Sequence, residues 1–493
     1  MFFHSHSLWP SHFETELELI ELLKKQGVKV SAFTCNGALI GCDINPENDL
    51  NICSRCINTR KKGHRLISSL NEINIKINNK KLFSPLFEIN SIDELKNQKY
   101  KNFEVGYAVL SSIVSSERNP YITYHDYKTQ FDDLIRRSIN AYEYFISKLE
   151  LDKPDAVIVF NGRFAYTRAL VRACEALDIK YFTHERGANK NKYMLFENSL
   201  PHDISYFNKL LQMSWDNSNV SENDKISIGN QFYIDRANGK QQSWFSFTEK
   251  QNRGRLPENW DGNKHNIVIY LSSEDEFIAI GDLWGKTLFK NQIEGLKNIF
   301  NYSFNSKIIK FYIRIHPNSK TLKQFIKEIR EFESEQISII DPDSTICSYT
   351  LLNKCDKIIS FGSTMGIEAT YWGKASVNLG NSFYKGLDVT YNPDSIQEAV
   401  LLINNFKLLP LANLNTIKYG YHLSTFGYDF KLYQPECLMK GTFNGVDLAT
   451  VNGDLDRLLS NQIKLPYLVN RILMVIEISL RKYFLKIKIH KND

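Results

Sequence analysis

The chain runs to 493 residues, 43% hydrophobic and 24% charged, with a net charge of +6. That length is too great for one ordinary core and predicts two domains, while the composition excludes a disordered chain. So mild a positive charge suits anionic small substrates or a lipid surface, and argues against a dedicated nucleic-acid binder.

The start, Met1-Phe2-Phe3-His4-Ser5-His6, has no basic leader and no apolar stretch of signal-peptide length. The segment near Ile472 to Leu480 is apolar but broken by Glu477 and flanked by Arg471 and Arg481. It falls short of the ~20 residues of a membrane span. The expectation is a cytoplasmic chain whose eight cysteines are reduced thiols.

In chain order, Phe13 to Lys25 carries apolar residues at helical spacing and Val28 to Phe33 follows as a strand. Cys35, Cys42, Cys53 and Cys56 then fall in one short stretch ending in a C-x-x-C pair. Four thiolates satisfy tetrahedral zinc, which makes this a candidate structural metal site; small core residues are the other reading. The polar, mixed region from Asn58 to Tyr124 is expected to be a helical insertion. Ala156 to Phe160 is a buried-type strand opening into Asn161-Gly162-Arg163, and a helix from Phe164 to Leu177 follows. The next strand, Tyr181 to Thr183, ends in His184-Glu185-Arg186-Gly187. A carboxylate facing a cleft there is placed to act as a base, and Arg186 beside it would keep it ionised. A simple Glu185–Arg186 surface pair is the competing reading.

Between Gln241 and Asn266 the pattern weakens at Arg253-Gly254-Arg255, Pro257 and Asp261-Gly262, as an interdomain linker would. Beyond it strands are predicted at Ile267 to Leu271, Ile308 to Ile315, Ile337 to Ile340, Lys357 to Ser360 and Ser376 to Leu379. Helices fit Leu283 to Phe300, Leu322 to Glu333, Thr345 to Cys355, Met365 to Trp372 and Ser395 to Phe406. This α/β alternation predicts two Rossmann-like domains, with ligands at the carboxyl ends of the strands. The boundaries are drawn at 1–245, 262–415 and a C-terminal tail over 416–493.

Polar clusters fall at those strand ends. Arg314-Ile315-His316-Pro317-Asn318 leaves the sheet at a proline. His316 there can donate to a phosphate with Arg314 adding charge, or merely cap the strand end. Ser360-Phe361-Gly362-Ser363-Thr364-Met365-Gly366-Ile367-Glu368 opens a helix. Its amides and the Ser363 and Thr364 hydroxyls suit a phosphate, and Glu368 could meet a ribose; a capped helix with a satisfied glutamate is the bland reading. Ser272-Ser273-Glu274-Asp275-Glu276 also ends a strand, and Glu274 and Glu276 are competing cleft carboxylates.

The stretch from Arg314 through Tyr384 has the His-Pro, the Gly-Ser-Thr-Met-Gly-Ile-Glu-Ala and a Leu-Gly-Asn-Ser-Phe-Tyr. It resembles bacterial capsule polysaccharide biosynthesis proteins, a group that includes transferases of Kdo from CMP-Kdo. The pattern is also similar to that of GT-B sialyltransferases using CMP-sialic acid. The resemblance implies a GT-B-like fold with the nucleotide sugar bound between two facing domains. It implies His316 and Pro317 at the donor phosphate, Ser363 and Thr364 on phosphate oxygens, Glu368 at the ribose and Glu185 near the acceptor as base. Here the acidic motif reads Glu-Arg-Gly instead of two carboxylates before the glycine.

The expected activity is metal-independent glycosyl transfer from a nucleotide-activated sugar, CMP-linked and of Kdo or sialic-acid type. The acceptor would be a surface polysaccharide, capsule or O-antigen, or its lipid-linked precursor; nucleic acid is not an expected partner. A CDP-polyol phosphotransferase of teichoic-acid type is an alternative, as is a silent scaffold subunit of a polysaccharide assembly complex. Lys464 to Lys491 mixes apolar residues with Arg471, Arg481, Lys482, Lys486 and Lys488. It reads as a basic amphipathic helix, either lying on an anionic membrane at the inner face or packed on its own domain.

Overall fold

A strand buried on both faces must be apolar on both, and most strands here are short runs of Ile, Val and Phe for that reason. The computed structural model describes residues 1–77, 88–243, 246–248, 251–285, 287–449 and 477. In chain order the first strands are β1 (Phe2–His4), β2 (Ser31–Thr34), β3 (Asn71–Asn74), β4 (Ala156–Phe160), β5 (Lys180–Arg186) and β6 (Lys192–Glu197). Then come β7 (His265–Tyr270), β8 (Ile309–Arg314), β9 (Ile337–Ile340), β10 (Lys357–Ser360) and β11 (Ala375–Asn378). The last are β12 (Tyr428–Asp429), β13 (Tyr433–Cys437) and β14 (Lys440–Phe443).

Two parallel sheets result. The first has the order β3-β2-β1-β4-β5-β6-β12, with β6 antiparallel to both neighbours. The second has the order β9-β8-β7-β10-β11, parallel throughout. Each is therefore Rossmann-like, and the expectation of two such sheets in a GT-B-like arrangement is borne out. In each the strand order reverses between the first strand and the fourth, β1 and β4 in one, β7 and β10 in the other. Ligands of open parallel sheets bind outside the carboxyl ends at that reversal.

Alternation fixes the cores. Phe3, Phe33, Val157 and Val159 face one layer with helices Val105–Glu117, Lys128–Asp152 and Ala165–Ala176, while Phe2, Ala32 and Ile158 face the other. In the second sheet Ile267, Ile269, Phe311 and Ile313 join one cluster, and Val268, Tyr270 and Tyr312 the opposite one. Each such side chain, fully buried, contributes ~1.5–3 kcal/mol.

The predicted strands of the second half lie within two residues of β7 to β11 at either end. The predicted helix from Leu283 to Phe300 does not run through. It breaks into Asp282–Gly285 and Gln292–Phe300, and the second piece starts where the Asn291 side chain accepts the Glu294 amide at 2.9 Å. The break lets Trp284 reach across the domains and donate through Nε1 to the carbonyl of His202 at 2.7 Å. Among the described residues between Asn58 and Tyr124 lie the end of helix Leu50–His64, β3, and helices Ile92–Lys96 and Val105–Glu117, joined by loops. No helix or strand longer than a single bridge occurs among the described residues of 239–264. This stretch is nonetheless seated, with Trp260 stacked on Tyr312 at 4.4 Å.

After residue 413 the chain returns to the first sheet. Helix Leu414–Thr425 packs on helix Glu222–Ala237 through a glycine crossing, where a Cβ on Gly420 would lie 2.4 Å from the Gly229 carbonyl oxygen. β12 then pairs with β6, and the Glu18 carboxylate accepts the amides of Lys431, Leu432 and Tyr433 at 2.5, 3.1 and 3.0 Å. Among the described residues no helix is long and apolar enough to cross a membrane. The basic stretch from Lys464 to Lys491, Glu477 apart, lies outside the described residues.

Candidate functional site

The carboxyl-end rims of the two sheets face one cleft of about 550 Å³. From the first sheet come Trp9, His12, Asn161, Arg163, Glu185 and Arg186; from the second come Ser272, Ser273, Arg314, His316, Pro317, Gly362, Ser363 and Thr364. Among the described residues the lining carries the permanent cations Arg118, Arg163, Arg186, Arg236, Lys240 and Arg314 against a single carboxylate, Glu185. An anion is therefore the ligand this field favours.

Glu185 ends β5, and its oxygens are held. Oε2 accepts from the Asn161 side chain at 2.8 Å, Oε1 from the Arg186 amide at 3.0 Å, and Nε2 of His12 lies 3.3 Å from Oε1. His12 is buried, and that burial, with Arg186 and His184 nearby, pushes its imidazole well below the ordinary range. It is a neutral donor beside the carboxylate, which it orients without titrating. Asn161 reaches Glu185 from β4 because its backbone takes a left-handed turn, φ 55°. Arg163 lies over the Phe164 ring at 4.5 Å.

On the opposite wall His316 caps the turn after β8, its Nδ1 accepting the Asn318 amide at 3.2 Å. Burial pushes the imidazole down to about 4, so the neutral ring keeps its proton on Nε2, a donor at the cleft. Gly362 takes φ 83°, and a Cβ there would lie 2.3 Å from the carbonyl oxygen of Asn381, so only glycine fits the turn. Arg314 is spent largely on loop carbonyls, donating to Asp341 at 2.8 Å and Ser344 at 3.2 Å.

A family model described as capsule polysaccharide biosynthesis protein matches residues 286–401. The match takes in under a quarter of the 493-residue chain. The resemblance read from the motifs is thus borne out over the part of the chain that carries them. No curated protein matches the chain. Among solved structures it is similar to two from Thermosulfurimonas dismutans, KpsC beta Kdo 2,4 transferase and KpsC beta Kdo 2,7 transferase. The first is 11% identical, covers 54% of this chain and 79% of that one, and has a TM-score of 0.36. The second is 14% identical, covers 57% and 80%, and has a TM-score of 0.35. A third, the UDP-GlcNAc 2-epimerase of Methanocaldococcus jannaschii in complex with UDP-GlcNAc and UDP, is 14% identical, covers 75% and 95%, and has a TM-score of 0.27.

Within the matched segment and its neighbours, several residues expected at the ligand are used otherwise. Glu368 is fully buried behind the cleft, where it accepts from Arg236 Nε at 2.9 Å and from the Tyr349 hydroxyl. It is spent on a guanidinium and leaves no oxygen for a ribose. Glu274 accepts from the Tyr121 hydroxyl and from the Gln292 amide at 2.9 Å, tying the two units together beside the cleft rather than in it. Asn318 donates its side-chain amide to Ser273 at 3.3 Å and does not line the cleft. Gly187 lies behind it, where a Cβ would meet Lys192 at 2.6 Å. The side chain of Glu276 lies outside those described.

Cys42 and Cys53 each lie within electrostatic reach of Cys35, and Cys42 also of Cys56. The Cys53 sulfur accepts from Asn45 at 3.1 Å and that of Cys56 from the Ser7 amide at 3.2 Å. The tetrahedral set suggested by their spacing is not formed. Among the described residues no three His, Cys, Asp or Glu side chains are placed to hold one metal ion.

The motifs missed His12 and Arg236. His12 opens the first long helix, and its use depends on β5, more than 160 residues later. Arg236 ends helix Glu222–Ala237 and donates through Nη2 to the Thr364 hydroxyl at 2.9 Å. A basic residue on the helix just before the predicted linker was the only signal.

Proposed function

We propose that this protein transfers a sugar from a nucleotide-activated donor, CMP-linked and of Kdo or sialic-acid type, to a surface polysaccharide or its lipid-linked precursor. The observation that carries the reading is the division of the cleft. One wall bears His316, Ser363 and Thr364 with fixed cations around them, and the other bears Glu185, the one carboxylate among the described lining residues, with both oxygens held by donors. The donor's phosphate would lie on the first wall and the acceptor hydroxyl against Glu185. As the sugar–phosphate bond breaks, charge grows on the leaving phosphate, where the Nε2–H of His316 donates to it. Glu185 takes the proton of the attacking hydroxyl. Holding donor and acceptor between two rigid sheet rims supplies the orientation.

A thermal-shift panel with CMP, CDP and UDP tests the donor. Stabilisation of the full chain should be largest with CMP, growing with ligand concentration as mass action requires. A preference for CDP turns the reading to polyol-phosphate transfer, and no response to any nucleotide ends it.

His316→Ala removes the neutral donor to the leaving group without removing a charge. Transfer should fall ~100-fold or more with the melting temperature within a few degrees of wild type. Steady-state rates beside a melting curve decide the matter; unchanged turnover would take His316 out of the site.

A further inference from the structure

We propose that Arg236 is the anion receptor of the cleft, the group that takes the donor's phosphate. The proposal deepens the functional reading above and rests on it for the identity of the ligand.

Three observations meet at this side chain. Arg236 is pinned: Nε donates to Glu368 at 2.9 Å and Nη2 to the Thr364 hydroxyl at 2.9 Å. The carboxylate that pins it is 0% exposed and holds the Tyr349 hydroxyl with its other oxygen. An unpaired carboxylate so deep would cost several kcal/mol, so the pair fixes the guanidinium in one orientation. Arg236 is also unfinished. Its side chain is 32% exposed and lines the cleft, its contacts besides Glu368 and Thr364 being the Tyr349 hydroxyl and the Phe232 ring. Arg168 shows how a purely structural arginine looks in this fold. It is 1% exposed and gives Nε to the Gly162 carbonyl, Nη1 to Glu104 and Nη2 to the Ile280 carbonyl. Finally, Arg236 stands at the reversal of strand order in the second sheet, against the Gly362-Ser363-Thr364 turn that follows β10. A planar fork with free N–H groups at that point matches a phosphate's oxygens. Glu368, expected at a ribose, becomes a positioning residue for the receptor.

Calorimetric titration of the full chain with inorganic pyrophosphate, then with CMP, tests this. Wild type should bind pyrophosphate, and Arg236→Met should weaken it ~30-fold or more. Arg236→Lys, which keeps the charge and loses the fork, should fall between the two. Because Arg236→Met alone strands the Glu368 charge, the double variant Arg236→Met/Glu368→Gln is measured with it and should fold and show the same loss. Pyrophosphate affinity equal to wild type in either methionine variant overturns the proposal, as does a wild type that binds no pyrophosphate. Arg236-dependent pyrophosphate binding by a chain that ignores CMP, CDP and UDP supports the receptor and sinks the nucleotide reading alone.

Discussion

Glu185→Gln is expected to lower the rate of sugar transfer ~100- to 10,000-fold, the range that positioned general bases supply. The substitution keeps the shape of the side chain and, with its oxygen toward Asn161, that contact; it removes the capacity to take a proton and turns an NH2 toward the Arg186 amide and His12. Donor affinity, set on the opposite wall, should stay within about threefold of wild type. Single-turnover rates with donor and acceptor, beside a donor titration, separate the two effects. Were the rate to hold while donor binding fell, Glu185 would be a binding group and the base would lie elsewhere. His12 offers a companion measurement, since His12→Gln keeps an N–H donor and should retain more activity than His12→Phe.

The second large effect is on stability. Arg168 is buried between the units and satisfies Glu104, the Gly162 carbonyl and the Ile280 carbonyl of the second unit. Arg168→Met leaves those carbonyls without their donor and removes one guanidinium from Glu104, although Arg172 still donates to both of its oxygens. We expect a loss of ~3 kcal/mol in unfolding free energy, at the lower end for a broken buried ion pair because one arginine stays. The pH dependence carries a sign. Against burial, which alone would raise it, Arg172 and Arg168 hold the Glu104 carboxyl down to about 2. A carboxyl whose folded value lies below its unfolded one stabilises in full above pH ~4.5 and loses that contribution as pH falls toward the folded value. The variant should therefore lose most at neutral pH and approach wild type in acid. A change under ~1 kcal/mol at pH 7 would mean that the two units are held by other contacts, Trp284 to His202 foremost.

What could be read from the sequence followed burial. β7, β8 and β10 lie in the interior of the second sheet, so their runs of Ile, Val and Phe announced them, and the turns after β8 and β10 carried recognisable Pro and Gly. β1 has only three residues, too few to set a period. β3, Asn-Glu-Ile-Asn, is an edge strand with one apolar residue, and no pattern distinguishes it from a loop. Glu185 and His316 were legible because each lies at the carboxyl end of its own strand. The role of Glu368 was not, because position one turn into a helix does not say which way the carboxylate turns. Its partner Arg236 lies 132 residues earlier on another element, a distance no local pattern spans.

The closing of the first sheet by β12 has a consequence for how the chain comes off the ribosome. β6 is complete at residue 197, yet the strand that covers its outer edge begins at residue 428. At ~5–20 residues per second, that edge waits on the order of tens of seconds, through synthesis of the entire second sheet. Its unpaired amides and carbonyls are a template for any other extended chain nearby. The last part of the fold is thus a seal, and interruptions of synthesis before Tyr428 would leave a nascent domain with its apolar interior formed and one flank adhesive.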